Sequence, residues 1–207
     1  MPDTYPLTYD VDYPDRQLNR LTSALRIFTA IPIVIVLSAI GGLAEFGAGG
    51  HMRAVATSGS ALLVLPPLLM IVFRAKYPRW WYDFNVELLR FQNRVGVYVA
   101  LMDDRYPSTD ERQSVRLEVP YPDASLLNRF LPLIKWLLAL PHYFVLVFLY
   151  LGAVVAVVIA WFAILFTGRY PRGIFDYLVG VGRWTNRVVA YAGILVTDEY
   201  PPFRLSP

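Results

Sequence analysis

The sequence contains no cysteine, which excludes a disulfide scaffold, a thiolate metal site and a cysteine nucleophile. Charged residues make up only 17% of the 207 residues, whereas a soluble domain has about 25%. Lysine is scarce, and Lys76 and Lys135 are the only two in the sequence. The chain is instead 56% hydrophobic, and its formal net charge of +3 includes no run of basic residues. This composition argues against a soluble globule and against a nucleic-acid-binding protein.

The apolar residues are concentrated in two blocks, residues 20–74 and 129–169, whereas the other segments are polar and rich in Arg, Asp and Tyr. About twenty consecutive apolar residues suffice for a helix that crosses the roughly 30 Å hydrocarbon core of a bilayer. The pattern therefore predicts a mostly α-helical integral membrane protein with about four transmembrane segments. The predicted spans are residues 25–44, 59–75, 131–150 and 152–168.

The second block is too long for one perpendicular span, because residues 131–166 would extend about 54 Å as a single helix. One solution is a hairpin that turns near residues 150–152. The other is an interfacial helix up to Leu140, broken at Pro141 and followed by one long tilted span. Basic residues flank both blocks, so the positive-inside rule favours an even number of crossings. We therefore predict a multi-pass protein of the bacterial inner (plasma) membrane with both termini in the cytoplasm.

The two halves of the sequence repeat each other. A shift of 93 residues superposes the segment that begins at Tyr77 on the segment that begins at Tyr170, and a shift of 108 superposes Tyr13-Pro14-Asp15 on Tyr121-Pro122-Asp123. Self-similarity of this kind predicts an internal repeat. The residues of the first half that are identical after the shift of 93 include Tyr77, Pro78, Arg79, Asp83, Arg90, Asn93, Arg94, Val95 and Tyr98.

We expect a first repeat over residues 1–107 and a second over residues 108–207. Each repeat is predicted to contain a short β-strand, a transmembrane helical hairpin and a cytoplasmic amphipathic helix. Apolar residues alternate at the strand period near residues 7–13 and 115–119, and they recur every three or four positions over residues 84–102 and their copy. Two spans in each repeat imply parallel repeats that are related by a pseudo-twofold axis along the membrane normal.

Charged residues that recur on the two amphipathic segments form the candidate functional site. Arginines four residues apart, such as Arg90 and Arg94, lie on one face of a helix and are suited to hold a lipid phosphate. The alternative is that acidic and basic residues of the two halves pair across the pseudo-twofold and only fasten the cytoplasmic layer. The candidates for lipid or partner binding are Arg90, Arg94, Arg183, Arg187, Asp83, Asp176, Arg79 and Arg172.

The remaining polar residues in and near the apolar blocks are given structural roles. Arg26 and Lys135 flank the blocks and are expected to extend to the cytoplasmic headgroups. Asp103 and Asp104 are expected at a solvated helix end, and His142 is expected to be hydrogen-bonded within the helix bundle. No phosphate-binding glycine loop, zinc-hydrolase helix or nucleophile elbow is present in the sequence. We therefore predict no catalytic residue, no metal site and no cofactor.

Seven Tyr-Pro dipeptides are spread over the chain. Proline moves the preceding residue toward extended geometry, and a tyrosine ring is suited to the headgroup layer of a membrane. The dipeptides are therefore predicted to mark the ends of helices and strands rather than to form a ligand cage. They begin at Tyr5, Tyr13, Tyr77, Tyr106, Tyr121, Tyr170 and Tyr200.

Four segments of the second half carry a family resemblance: 116–122 (RLEVPYP), 131–143 (LPLIKWLLALPHY), 160–171 (AWFAILFTGRYP) and 197–203 (TDEYPPF). With these segments the second half resembles an uncharacterised family of small actinobacterial multi-pass membrane proteins, catalogued only as a domain of unknown function. The first half looks like a diverged copy of the second. Because the family has no assigned activity, the resemblance implies a membrane location and the repeat, and it implies no catalytic residue.

Three functions are compatible with these observations. The first is a non-catalytic membrane subunit or scaffold that associates with a larger integral membrane protein or complex, in a setting such as envelope lipid handling. The second is a lipid-binding or lipid-transport protein that uses the interfacial arginine pairs. The third is a membrane enzyme that acts on lipid headgroups. The absence of a catalytic motif favours the first, with membrane lipids and a membrane protein as partners and no nucleic acid.

Overall fold

The computed structural model of the protein describes residues 5–41, 56–109, 111 and 113–207, and within these ranges it leaves out the side chains of residues 38–41 and 56–62. The described part of the chain is mostly helical, with one small β-sheet. In chain order the elements are β1 (Thr8–Val11), α1 (Arg20–Ala24), α2 (Arg26–Gly41), α3 (Ala56–Arg74), α4 (Arg79–Val99), β2 (Val115–Glu118), α5 (Leu131–Leu138), α6 (Leu140–Thr167) and α7 (Arg172–Val188), followed by a π-helical turn (Val189–Gly193).

The sheet joins the beginnings of the two halves. β1 and β2 form where the alternation predicts strands, and they pair antiparallel with Tyr9 opposite Leu117. Both of these side chains are buried, whereas the side chains of Asp10 and Glu118 are exposed. One face of the sheet therefore covers the core and the other face is polar.

The amphipathic helices α4 and α7 form the centre of the molecule and run antiparallel. The Tyr77 hydroxyl, just before α4, donates to the Ile194 carbonyl beyond α7 at 2.6 Å. The Tyr170 hydroxyl, just before α7, donates to the Ala100 carbonyl beyond α4 at 3.0 Å. The beginning of each helix thus lies beside the end of the other. Both helices start immediately after a Tyr-Pro dipeptide, which confirms the boundary role of Pro78 and Pro171.

The structure corrects the prediction for the second apolar block. The turn expected near residues 150–152 is absent, because residues 140–167 form one continuous helix. The two predicted spans at 131–150 and 152–168 are therefore wrong, and the alternative with a break near Pro141 describes the helices. A helix tolerates Pro141 in its first turn, and no further proline interrupts the run from there to Gly168. Gly152 alone does not break the helix, because a single glycine costs only about 1 kcal/mol in a helix interior. Gly168 ends α6 in the left-handed conformation at φ 72°.

The first apolar block forms α2 and α3, close to the predicted spans at 25–44 and 59–75, although residues 42–55 lie outside the described part of the chain. The described helices do not support a count of four spans. Leu131–Thr167 is the one described stretch long and apolar enough to cross a membrane, judged by length and composition. Arg26–Leu37 and Leu63–Arg74 are apolar and shorter.

The elements form three layers. The sheet packs on α4 and α7, since Tyr9 contacts α7 at Gly182 and the Arg90 side chain of α4 donates to a β2 carbonyl. On their other side, α7 packs against α6 and α4 packs against α2. The outer helices expose many large apolar side chains, whereas the sheet exposes charged ones. The molecule therefore has one polar side and one apolar side.

Candidate functional site

Two of the candidate arginines are buried and bind backbone carbonyls. The Arg94 guanidinium donates to the carbonyls of Ser108 and Thr109 at 2.9 and 3.1 Å. The Arg187 guanidinium donates to the carbonyls of Arg204 and Ser206 at 3.2 and 3.0 Å. Only 7% of Arg94 and 2% of Arg187 is exposed. Each guanidinium therefore fixes the chain segment that follows its own central helix.

The other two candidate arginines join the halves of the chain. Nε of Arg90 donates to the Leu117 carbonyl of β2 at 3.1 Å, and Nε of Arg183 donates to the Tyr9 carbonyl of β1 at 3.1 Å. Arg90 also forms an ion pair with Glu87 at 2.5 Å, and Arg183 lies 3.6 Å from a carboxylate oxygen of Asp10. These arginines hold each central helix to the strand of the opposite half.

The acidic candidates do not pair with the arginines. Asp83 and Asp176 are exposed, and neither forms an ion pair with any other residue that the structure describes. Arginines make the contacts between the halves, through backbone carbonyls and through the carboxylates of Asp10 and Asp12, without Asp83 and Asp176. A planar guanidinium with five donors is suited to bind carbonyls in this way.

Arg79 and Arg172 lie over tyrosine rings. The Arg79 guanidinium carbon is 5.3 Å from the ring centre of Tyr121, and that of Arg172 is 4.5 Å from the ring centre of Tyr13. Each contact crosses from one half of the chain to the other. A cation placed over an aromatic ring is attracted by the negative face of the ring.

A pair of asparagines at the centre of the molecule was missed by the sequence analysis as an interacting pair. The Asn93 amide donates to the Asn186 carbonyl oxygen at 2.8 Å, and the Asn186 amide donates to that of Asn93 at 2.8 Å. Each amide also donates to the backbone carbonyl four residues earlier, at Leu89 and Gly182. The signal that could have found the pair is the recurrence of an identical asparagine at the shift of 93 residues.

The structure overturns the expectation that Arg26 and Lys135 extend to the headgroups. Both are buried, at 2% and 0% exposure. Arg26 bonds a carboxylate oxygen of Asp104 and the Asp103 carbonyl, each at 2.7 Å. Lys135 bonds a carboxylate oxygen of Asp198 at 2.7 Å and the Thr197 carbonyl at 2.7 Å. Burial of a charged side chain is costly unless it is paired and hydrogen-bonded. The carboxylates of Asp104 and Asp198 and the two backbone carbonyls provide these partners, so both cations can lie inside the protein.

Asp103 and Asp104 accordingly are not a solvated helix end. Asp103 accepts hydrogen bonds from the backbone and the guanidinium of Arg105, and Asp104 pairs with Arg26. Burial by itself raises the pKa of Asp103, but the hydrogen bonds from Arg105 and Ser114 outweigh that effect and lower the pKa below its usual range. Burial and the neighbouring cations Arg204 and Arg183 lower the pKa of the Arg187 guanidinium.

His142 is hydrogen-bonded within the helix bundle, as predicted. Its Nδ1 accepts from the Trp184 indole at 2.9 Å, and its ring stacks on Phe203 with centres 4.0 Å apart. Three tyrosines of the Tyr-Pro dipeptides differ from the expectation of rings in the headgroup layer, because Tyr5, Tyr77 and Tyr170 are buried in the core. Tyr106, Tyr121 and Tyr200 are exposed.

A cavity of about 540 Å³ lies between α4, α6 and α7, with the asparagine pair in its wall. Its lining is mostly apolar, with polar atoms from Gln92, Thr185 and Tyr150. Within the described ranges, no three His, Asp or Glu side chains are placed to hold a metal ion together. Chemically, the site offers hydrogen bonds that join two half-chains and an apolar groove beside them.

Comparison with known proteins finds a similarity for part of the chain. Residues 132–204 match the family model described as Domain of unknown function (DUF4389). The matched region begins within α5 and ends after α7, and it covers about a third of the chain. No curated protein and no solved structure matches the chain. The second half of this protein is thus similar to an uncharacterised domain family, in agreement with the resemblance carried by its sequence motifs.

Proposed function

We propose that this protein is a non-catalytic membrane scaffold that associates with a larger integral membrane protein or complex. The observation that carries the proposal is the use made of its polar side chains. The arginines that recur in both halves bind backbone carbonyls or aromatic rings of the protein itself. Such an interior stabilises a shape rather than a reaction.

The scaffold is proposed to be a tandem duplication of residues 1–107 and 108–207 with a pseudo-twofold axis. Corresponding contacts support this symmetry. Tyr9 and Leu117, which correspond after the shift of 108, pair in the sheet, and Asn93 and Asn186 bond each other. Likewise, the backbone N–H groups of Asn19 and Asn128 each donate to a carboxylate oxygen, of Asp104 and Asp198 respectively. The axis passes through the sheet and the asparagine pair, from the polar side of the molecule to the apolar side.

The proposed location is the bacterial inner membrane, with both ends of the chain in the cytoplasm. Contacts near the two ends support a common side. The Tyr5 hydroxyl donates to the Glu199 carbonyl at 3.3 Å. The guanidinium of Arg187 lies 5.9 Å from the Tyr5 ring centre, and it binds the carbonyls of Arg204 and Ser206. The first and the last described residues therefore lie near each other on the polar side.

Lipid binding or transport is the second candidate, and the apolar cavity beside the asparagine pair favours it. Its volume of about 540 Å³ is within the range of small-molecule sites, and its lining suits an acyl chain. The buried Arg94 and Arg187 are not assigned to this function, because their guanidinium groups bind backbone carbonyls of the protein itself. Ala153 lines the cavity, so Ala153→Trp should fill it and release a lipid that binds there. Gly173 does not line the cavity and has no neighbouring atom within 4 Å of an added Cβ, so the control Gly173→Ala should retain the lipid.

The scaffold proposal is tested at native expression level with a photo-crosslinking residue in place of Trp80, which is 68% exposed, or in place of Glu118 on the polar side. We expect one reproducible adduct with the same larger membrane protein in mild detergent, formed from one position and not from the other. Recovery of only the free chain from both positions would remove the scaffold function.

A further inference from the structure

One stripe of buried residues runs along the whole of α6. These residues are separated by three, four or seven positions, so they lie on one face of the helix. At its beginning the stripe packs against Trp184 and Val188 of α7, and at its end it joins the main core. The helix therefore lies against the rest of the protein from one end to the other. The stripe consists of Ala139, immediately before the helix, and of His142, Leu146, Ala153, Ala160 and Ile164.

Both ends of α6 are tied to polar segments of the chain. At its beginning the Tyr200 hydroxyl donates to the Leu138 carbonyl at 3.1 Å. At its end the Leu18 N–H donates to the Gly168 carbonyl at 3.0 Å. Between these ends, the Tyr177 hydroxyl of α7 donates to the Leu149 carbonyl at 2.8 Å.

The direction of α6 follows from its contacts with α7. His142 contacts Trp184 late in α7, whereas Leu149 contacts Tyr177 early in α7, so the two helices run antiparallel side by side. On its other side, α7 sends Arg183 and Arg187 to β1 and to residues 204–206. If α6 crossed a bilayer, α7 and these two cations would be carried into the hydrocarbon, where charged side chains are costly.

The face of α6 opposite the stripe is apolar and uncovered. Phe144, Leu151, Val155 and Phe166 are 67%, 61%, 59% and 77% exposed. The same side of the molecule includes exposed apolar side chains of α2 and α5, such as Ile27 and Trp136. An apolar surface of this kind marks an interaction with lipid or protein.

We infer that α6 lies in the plane of the membrane, with its apolar face in one leaflet, so that the protein enters the bilayer without crossing it at α6. This inference deepens the proposed membrane function and rests on it. An in-plane helix buries its apolar face roughly 5–10 Å deep, which leaves the polar sheet in water. Exposed basic residues flank the apolar helices at Arg20, Arg129 and Arg169, where they face the anionic headgroups of lipids. The occupant of the apolar surface is therefore a phospholipid leaflet.

The test uses single cysteines, since the natural chain has none. The exposed Leu126→Cys precedes α5, and the exposed Arg169→Cys follows α6. Glu118→Cys marks the polar side, and Val155→Cys marks the apolar face. Each variant of the full chain is first floated with bacterial membranes on a density gradient, and it is then treated with a membrane-impermeant maleimide in intact spheroplasts and in inverted vesicles.

We expect Leu126→Cys, Arg169→Cys and Glu118→Cys to react at least tenfold faster on the same side of the membrane. Val155→Cys should react on neither side until the membrane is dissolved. Reaction of Leu126→Cys and Arg169→Cys from opposite sides, in protein that floats with the membrane, would overturn the in-plane arrangement alone. Protein that does not float with membranes would overturn the proposed membrane function itself.

Discussion

The reciprocal bonds between Asn93 and Asn186 should couple the two halves energetically. Each side chain gives the other one N–H donor and one carbonyl acceptor, both at 2.8 Å, and Asn186 is only 2% exposed. Asn93→Ala removes both mutual bonds and leaves the Asn186 carbonyl without its donor. Loss of a buried hydrogen-bond partner costs roughly 1–3 kcal/mol. For a chain of this length that corresponds to a fall in Tm of about 2–4 °C per kcal/mol.

The double variant separates the coupling from the cost of each substitution. Because Asn93→Ala already breaks both bonds, the additional loss from Asn186→Ala should be smaller than its loss in the wild type. The expected interaction energy is about 1–2 kcal/mol, within the range of directly contacting residues. Thermal unfolding in mild detergent, followed by the fluorescence of the five tryptophans, gives all four Tm values.

The matched control combines Asn93→Ala with Asn19→Ala. Asn19 caps α1 through the N–H groups of Leu21 and Thr22 and shares no hydrogen-bond partner with Asn93. Loss of the cap costs about 1 kcal/mol, and the two effects should add within about 0.5 kcal/mol. Full additivity of Asn93→Ala and Asn186→Ala would refute the reasoning, because it would mean that the halves are not coupled at this pair.

Three further outcomes follow from single sites. In Gly182→Ala the new Cβ would lie 2.8 Å from the Tyr9 ring, so the variant should lower the free energy of unfolding by about 1–3 kcal/mol. In Gly96→Ala the new Cβ meets nothing within 4 Å, so this variant should raise the free energy of unfolding by up to about 1 kcal/mol in the same assay. Equal effects of the two substitutions would contradict the packing at Gly182. Arg187→Lys removes the two guanidinium nitrogens that bind the carbonyls of residues 204 and 206, so it should lower the free energy of unfolding by about 1.5–3 kcal/mol. It should also make this segment more sensitive to limited proteolysis. An unchanged cleavage rate would count against the role of Arg187 in holding the segment. The pKa of Asp103 is lowered, since the hydrogen bonds from Arg105 outweigh its burial. The stabilisation that this carboxylate gives is therefore present above its unfolded pKa near 4 and is lost as the pH falls through the lower folded pKa. Asp103→Asn should make Tm depend less on pH in this acid range, and an unchanged pH profile of Tm would show that another group is responsible.

The elements of this fold were largely readable from the sequence because they depend on local periodicity. The strand period and the helical period gave β1, β2, α4 and α7, and the Tyr-Pro dipeptides marked the beginnings of α4 and α7. The continuity of α6 was harder to predict, because a helix that crosses a bilayer and a helix that packs along a protein surface share the same apolar composition. The difference lies in tertiary contacts such as that of His142 with Trp184, which no short-range pattern contains.

The candidate site was predicted in composition and not in geometry. The recurrence of Arg90, Arg94, Arg183 and Arg187 was visible, but their acceptors are backbone carbonyls, and every residue of a sequence has one. Side-chain identity therefore could not show which carbonyl each guanidinium reaches. The burial of Lys135 was missed because its partner, Asp198, lies 63 residues further along the chain.

The central claim, a membrane scaffold that lies in one leaflet, is tested most directly by the depth profile of α6. Spin labels at the exposed positions Phe144, Val155 and Phe166 in reconstituted protein report their depths through accessibility to oxygen and to a polar nickel reagent. The first and the last label are 22 positions apart, which corresponds to about 33 Å of helix. The account predicts that all three labels lie at one shallow depth, roughly 5–10 Å below the headgroups. A profile deepest at Val155, with Phe144 and Phe166 near opposite surfaces, would contradict it.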